Sequence, residues 1–239
     1  MQLPLAWETW LDQYISFKQF YTDLETFLNR FEIIIPKSEL IFNVFYKMRP
    51  EEVRCVLFGE DPYPRITSAN GIAFWDVEIQ HWDDKTNGNS LKNILKGLLI
   101  AKGLADYNTS IAECRKIARE NNFMSPPQLF EYWLGQGVFL INTALTFSSA
   151  VDKKKHFDFW RSFHSALIHA LNVQKSSPYY VLWGRKAQQW ERTISKTIDQ
   201  QSKIIKQGHP TFIHQFLNPN KLTNSPFTEL QKKTGIKWF

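Results

Sequence analysis

Residues 56–65 (VLFGEDPYPR) constrain the fold of this chain more than any other stretch. The stretch begins as a continuous apolar run, which is typical of a strand covered on both faces in a parallel sheet. Gly59 and Pro62 then end the strand abruptly. Asp61 therefore follows the carboxyl end of a strand, where open α/β sheets place their ligands. Prolines on both sides of Tyr63 restrict the backbone, so we expect a stiff loop.

Later apolar runs repeat this pattern. We predict strands over 53–58, 138–141, 179–183 and 203–206, separated by segments with helical spacing over 7–31, 90–99, 111–121, 126–134, 157–172 and 185–199. Strands that alternate with helices predict an α/β fold. We expect three αβα layers around a central, mainly parallel, four-stranded sheet. No repeat or linker interrupts the pattern, so the whole chain, 1–239, is expected to form a single domain.

The predicted strands are followed by Asp61, Asn142, Gly184 and His209. Because the carboxyl ends of parallel strands meet at one edge of a sheet, these four positions are expected to share a cleft.

The composition excludes several classes of protein. Of 239 residues 43% are hydrophobic, with nine tryptophans and nineteen phenylalanines, which excludes a disordered chain. There is no apolar run of transmembrane length and no secretory pattern at the start, so we expect no membrane association. Cys55 and Cys114 match neither a disulfide framework nor a metal-ligand spacing. These features predict a cytoplasmic protein without metal or cofactor.

The net charge of +6 and the isoelectric point near 9.2 are compatible with a polyanionic partner. The densest basic run is Lys153-Lys154-Lys155. Such a run is ordinarily a solvated surface, and its interest here comes from its place shortly after Asn142.

Three motifs carry a family resemblance. Residues 59–63 (GEDPY) resemble the Gly-Gln-Asp-Pro-Tyr water-activating loop of family 1 uracil-DNA glycosylases. Residues 139–147 (FLINTALTF) resemble that family's uracil-recognition segment, and residues 208–210 (GHP) resemble the start of its DNA-intercalation loop. The motifs occur in the family's order, and the resemblance extends, with gaps, from about residue 33 to residue 238.

The resemblance implies a glycosylase that extrudes a base from DNA and hydrolyses its bond to the sugar. It implies that Asp61 positions water and stabilises the sugar cation, while His209 stabilises the departing uracil anion. A carboxylate and a hydrogen-bond donor are the groups that these two developing charges require. The matched motifs contain no lysine to attack the sugar, so we expect no strand cleavage.

The resemblance also implies a base-binding set. Asn142 reads the pyrimidine edge, because its amide offers a donor and an acceptor. Phe74, thirteen residues after Asp61, stacks on the base, and Tyr63 excludes the thymine methyl group. Glu60 stands where the family has glutamine.

A further set of residues is expected to contact DNA. Ser90 is a candidate helix N-cap or phosphate ligand. Gly184-Arg185 stands where the family's Gly-Ser loop grips phosphate, and Pro210 follows the catalytic histidine. Ile213 occupies the position of the intercalating leucine. The expected partner is single- or double-stranded DNA with a flipped pyrimidine, bound by a monomer.

Each of these residues also has a structural interpretation. Asp61 and Asn142 could belong to ordinary turns, His209 could cap a helix or pack in the interior, and Phe74 could be a core residue.

Departures from the family pattern leave the substrate open. Besides Glu60, the chain has Pro64-Arg65-Ile66 where the family has His-Gly-Pro, and the segment 76–89 is polar where a proline-rich loop is expected. Lys155-His156 replaces a Ser-His pair. We expect uracil as the base. The alternatives are a glycosylase for another 5-modified pyrimidine, for example in viral DNA, and a non-catalytic DNA-binding replication accessory protein.

Overall fold

Four short strands form the centre of the fold. The computed structural model describes residues 1–196 and 201–239. The strands are β1 (Cys55–Gly59), β2 (Val138–Asn142), β3 (Tyr179–Trp183) and β4 (Ile204–Gln207). They lie in the order β2-β1-β3-β4, and every neighbouring pair is parallel. The predicted α/β fold with a four-stranded sheet is confirmed, and the sheet is entirely parallel.

Helices cover the sheet, which explains the continuous apolar runs. Every residue of β1 and β2 is buried, since neither face of these strands meets water. The helices are α1 (Leu5–Leu11), α2 (Phe17–Leu28), α3 (Asn89–Ala101), α4 (Ile111–Glu120), α5 (Pro126–Gly135), α6 (Lys153–Asn172), α7 (Gly184–Gln188), α8 (Glu191–Ser195), α9 (Ile213–Phe216) and α10 (Pro226–Thr234).

The segment predicted as one helix over 185–199 differs from the prediction. It is divided into α7 and α8 within the described residues, and positions 197–200 lie outside them. Between the two helices Trp190 turns inward, and its ring stacks on Phe58 of β1 at 6.1 Å. Packing of this large, partly buried ring against the core favours the break over a continuous helix.

The strand order positions the cleft. β1 lies between β2 and β3, so the loops that leave these strands diverge at the carboxyl edge of the sheet. Gly59 at the end of β1 is in register with Asn142 at the end of β2. The residues predicted to be functional therefore start from one edge.

Cys55 and Cys114 are both buried free thiols. In the described part of the chain, no helix is long and apolar enough to cross a membrane. Among the same residues, no group of three or more His, Cys, Asp or Glu side chains is arranged to hold a metal ion.

Candidate active site

The loop after β1 presents Asp61 at the edge of the sheet. Its side chain is only 16% exposed, and its two carboxylate oxygens lie 3.1 and 3.0 Å from Lys153 Nζ. The same ammonium group lies 2.8 Å from Glu60 Oε1. Lys153 is the first residue of α6, so this helix and the loop after β1 meet through charged side chains.

Burial raises the pKa of Asp61 above its ordinary value, and Lys153 opposes the rise. Although burial lowers the pKa of Lys153, its bonds to Glu60 and Asp61 outweigh that effect and raise its pKa. The lysine is therefore a stable ammonium group, and it helps Asp61 to remain ionised in a site with little water.

Backbone hydrogen bonds attach the loop after β1 to the end of β2. The Thr143 amide donates to the Gly59 carbonyl at 3.0 Å, and the Thr143 hydroxyl and the Ala144 amide donate to the Glu60 carbonyl at 2.7 and 3.1 Å. Asn142 is 5% exposed. A Cβ atom at Gly59 would lie 2.2 Å from Asn142 Oδ1, so only glycine permits this approach.

Asn142 is the last residue of β2 and directly precedes the turn that leads toward α6. Its part in reading a base stays a prediction.

Tyr63 and Phe74 are joined across the cleft. The Tyr63 hydroxyl donates to the Phe74 carbonyl at 3.1 Å. Phe74 has a φ of 66°, a left-handed conformation that is strained for a residue with a side chain. Its ring meets Trp183 edge-on at 5.3 Å and lies 6.3 Å from the His209 ring. Phe74 therefore belongs both to the core and to the wall of the cleft.

His209 is held as a neutral hydrogen-bond donor. Its Nδ1 accepts from the Thr211 amide at 3.1 Å, which leaves the proton on Nε2. Burial lowers the pKa of His209, while Glu60 raises it. The ring packs against Gly184, which has a φ of 80° and whose Cβ, if present, would be 2.7 Å from His209 Cβ. The side chain neither caps a helix nor enters the core.

The predicted DNA-binding residues differ from one another in exposure and in contacts. Ser90 is not an N-cap, because α3 begins at Asn89 with Gly88 as its N-cap, and its hydroxyl instead lies 2.7 Å from Thr211 Oγ1. Pro210 is buried, and its carbonyl accepts from Asn93 Nδ2 at 2.6 Å.

Gly184 is buried behind His209, whereas Arg185 is exposed at the start of α7. Contact of these positions with DNA stays a prediction.

The tip of the loop after His209 shows an arrangement that the sequence analysis did not anticipate. Ile213 begins α9 and packs, partly buried, against the hydrophobic core. Its neighbour Phe212 is 51% exposed. Ile213, at the position of the family's leucine, is thus partly buried, whereas the ring of the adjacent Phe212 is exposed.

The polar segment 76–89 supplies partners to the loop after β1. Arg65 forms ion pairs with the buried Asp76 at 2.7 Å and with Glu78 at 3.1 Å, and it donates to Ser68 at 2.8 Å. These bonds stabilise the segment against the loop in the absence of the proline-rich sequence.

Lys153 is the clearest residue that sequence reasoning missed as a member of the site. The only signal was its place in a basic run shortly after Asn142. His156, which with Lys155 stands where the family has a Ser-His pair, is buried and bonded to Thr146 and Ser148 at 2.9 Å each, so its position is structural.

The family comparison agrees with this geometry. The model of the uracil DNA glycosylase superfamily matches residues 46–232. The uracil-DNA glycosylase of Blochmanniella floridana is 30% identical over 211 residues, covering 87% of this chain and 84% of that protein. The uracil-DNA glycosylase of Buchnera aphidicola subsp. Acyrthosiphon pisum is 29% identical over 243 residues and covers 98% of both chains.

A solved structure gives the same result for the fold. The wild-type UNG crystal structure from Nitratifractor salsuginis aligns with a TM-score of 0.66 at 25% identity, covering 89% of this chain and 86% of that one. A family match over most of the chain, together with the cleft described above, establishes the relationship. This chain belongs to the uracil DNA glycosylase superfamily.

Proposed function

We propose that the protein hydrolyses the bond between uracil and deoxyribose in DNA, as the first step of base-excision repair. One observation supports this most strongly. In a chain of this superfamily, Asp61, Asn142 and His209 each lie at or after the end of a strand at one edge of the sheet, and the His209 ring lies 6.3 Å from that of Phe74.

The reaction breaks the bond between C1′ of the sugar and N1 of the base. The electron pair leaves with the base, and Nε2–H of His209 donates to the base oxygen on which negative charge develops. The Asp61 carboxylate stabilises the positive charge on the sugar and orients the water molecule that adds to C1′. The water's proton leaves through the same carboxylate.

Asn142 and Tyr63 favour uracil among the pyrimidines. The Asn142 amide can bond to a 4-oxo pyrimidine and its N3–H, and the Tyr63 ring stands where a C5 substituent would enter. The charged groups that could receive a polar 5-substituent are already paired. Arg65 is bonded to Asp76 and Glu78, and Glu60 is bonded to Lys153. These contacts favour the unsubstituted base.

The presence of Lys153 beside Asp61 bears on strand cleavage. A lysine can attack the sugar only as a free amine. The two carboxylates raise the pKa of Lys153 and keep it protonated. We therefore infer release of the base without a covalent intermediate. We further propose action as a monomer on a flipped nucleotide.

The deciding experiment is mass spectrometry of free bases released from matched oligonucleotides that contain uracil, thymine, cytosine or a 5-hydroxymethyl pyrimidine. We expect uracil alone. Release only of the modified base would contradict the proposed substrate, and release of nothing by folded protein would favour an accessory DNA-binding role. Borohydride treatment during turnover should trap no protein–DNA adduct.

A further inference from the structure

One ammonium group joins two successive carboxylates at the catalytic loop. Lys153 Nζ lies 2.8 Å from Glu60 Oε1 and 3.0 Å from Asp61 Oδ2. The hydrolysis described above requires only Asp61 of these three side chains. The other two still form the principal charged surroundings of its carboxylate.

The neighbouring lysines of the basic run behave differently. Lys154 pairs with Asp158 on its own helix, and Lys155 pairs with the N-cap residue Asp152. Only Lys153 of the three reaches the loop after β1. The run is therefore two ordinary surface lysines and one that belongs to the site.

The position of Lys153 is well defined. It is the first residue of α6, and its ammonium group lies 5.8 Å from the centre of the Phe157 ring one turn along the helix. Its side chain is 35% exposed, and those of Glu60 and Asp61 are 31% and 16% exposed. The aromatic contact and two ion pairs together restrict the otherwise flexible lysine stem.

The negative charge of Glu60 is unfavourable for the reaction unless it is paired with Lys153. The carboxylate is close enough to His209 to raise the pKa of the imidazole. Unpaired, it would also repel the negative charge that develops on the departing base. The Lys153 ammonium group, whose Nζ lies 2.8 Å from Glu60 Oε1, neutralises the charge of the Glu60 carboxylate.

Resting on the uracil hydrolysis proposed above, we propose that Lys153 is a positioning residue for the reaction. It holds Asp61 as an oriented carboxylate toward the sugar, and it neutralises Glu60 beside the departing base. Glu60 and Lys153 act as one pair, so a change in one alters the effect of a change in the other.

The effect on pH dependence follows from the charges around Asp61. Lys153, Glu60 and the more distant Lys186 act on this carboxylate. Removing the Lys153 charge leaves burial and Glu60, which both raise the pKa of Asp61, opposed only by the weaker effect of Lys186. As the pH falls, the Asp61 carboxylate is then protonated at a higher pH than in the wild-type protein. The acid limb of the kcat/KM profile therefore moves to higher pH.

The test compares five variants with the wild-type protein on uracil-containing DNA: Lys153→Met, Lys153→Arg, Glu60→Gln, the double variant with Glu60→Gln and Lys153→Met, and the control Lys154→Met. We expect Lys153→Met to lower kcat on the order of tenfold at neutral pH with little change in KM. Lys153→Arg should restore most of the rate, because it keeps the charge. The double variant should lose less than Lys153→Met alone, and Lys154→Met should match the wild-type protein.

A second measurement does not depend on activity. Carbon-13 NMR of the Asp61 carboxyl group should show its pKa raised in Lys153→Met and unchanged in Lys154→Met. A wild-type protein inert on uracil DNA would contradict the proposed function, and this titration would still test the Lys153–Asp61 interaction.

Several results would overturn the positioning role. They are an unchanged pH profile in Lys153→Met, additive losses in the double variant, or an unchanged Asp61 titration. A higher kcat in Lys153→Met would also do so, since Lys153 would then withhold Asp61 from the reaction. A borohydride adduct at Lys153 would show a free amine and would equally exclude the proposed role.

Discussion

The loops of residues 59–65 and 208–213 both follow parallel strands, but they are held in place by different interactions. Charged side chains surround the first loop: Lys153 bonds Glu60 and Asp61, and Arg65 bonds Asp76 and Glu78. The second loop is held by uncharged groups. Its contacts are hydroxyl, amide and backbone hydrogen bonds to α3 and within the loop itself.

The charged contacts of the first loop and the neutral contacts of the second suit different tasks. The ion pair between Lys153 and the largely buried Asp61 influences the protonation and charge of that carboxylate, which the bond-breaking step requires. Neutral hydrogen bonds leave the tip of the second loop uncharged and apolar, and Phe212 is exposed there. Such a tip suits insertion into a base stack. His209 is bonded through Nδ1 within the second loop, and its ring lies beside Phe74, whose carbonyl accepts from Tyr63 of the first loop.

The largest expected effect comes from Asp61→Asn. The substitution keeps the shape of the side chain but removes the charge that stabilises the sugar cation. We expect kcat to fall by about two to three powers of ten, with binding to uracil-containing DNA largely retained. Single-turnover kinetics and a binding titration measure the two quantities. An unchanged rate would remove Asp61 from the chemistry.

His209→Ala is expected to lower kcat by about two powers of ten, the usual cost of one donor to a developing anion. Because burial lowers the pKa of His209, the wild-type residue is neutral near pH 7. Its charge therefore does not change between roughly pH 7 and 8, and the wild-type rate should be flat there. A rate that declines steadily with rising pH in this range would indicate a charged imidazolium instead.

The Tyr63→Ala substitution tests whether the first loop also selects the base. Removing the ring leaves room for a C5 methyl group, so thymine release should rise by about tenfold or more relative to uracil release. Cytosine, which we propose that Asn142 rejects through its polar edge, should stay uncleaved and serves as the control. Loss of uracil release without any gain for thymine would show that Tyr63 does not exclude the methyl group.

Phe212→Ala and Ile213→Ala form a matched pair at the tip of the second loop. Phe212 is exposed and Ile213 is partly buried against the core. We expect Phe212→Ala to slow cleavage in duplex DNA by about tenfold, with little effect on single strands, since only the duplex must be held open. Ile213→Ala should slow cleavage in duplex DNA less than Phe212→Ala does. It should lower the thermal stability of the protein more, because its side chain is partly buried. The reverse order in duplex DNA would instead support Ile213 as the intercalating residue.

The smallest effect is expected at Ser90. Its hydroxyl and that of Thr211 form one hydrogen bond, so Ser90→Ala and Thr211→Val remove the same interaction. A purely structural bond of this kind is worth about 1 kcal/mol, and both variants should lose a few-fold in rate at most. Weaker DNA binding and a smaller salt dependence in Ser90→Ala alone would reveal a phosphate contact instead.

The sequence by itself determined the fold class and the four strands, because buried parallel strands require continuous apolar runs and Gly59 and Pro62 mark where one ends. It also determined which residue types follow the strand ends. Asp61, Asn142 and His209 each follow a predicted strand. Because parallel strands share one carboxyl edge, this placement was enough to predict a common cleft.

Only the tertiary structure decided the surroundings of these residues. Lys153 is 92 residues from Asp61 in sequence, and no local pattern distinguishes it from Lys154 or Lys155. Its role depends on the angle at which α6 begins. The exposures of Phe212 and Ile213 likewise depend on where α9 starts against the core. Periodicity records which side chains are apolar, whereas long-range charge pairing and the exposure of a loop tip arise only when separate elements pack together.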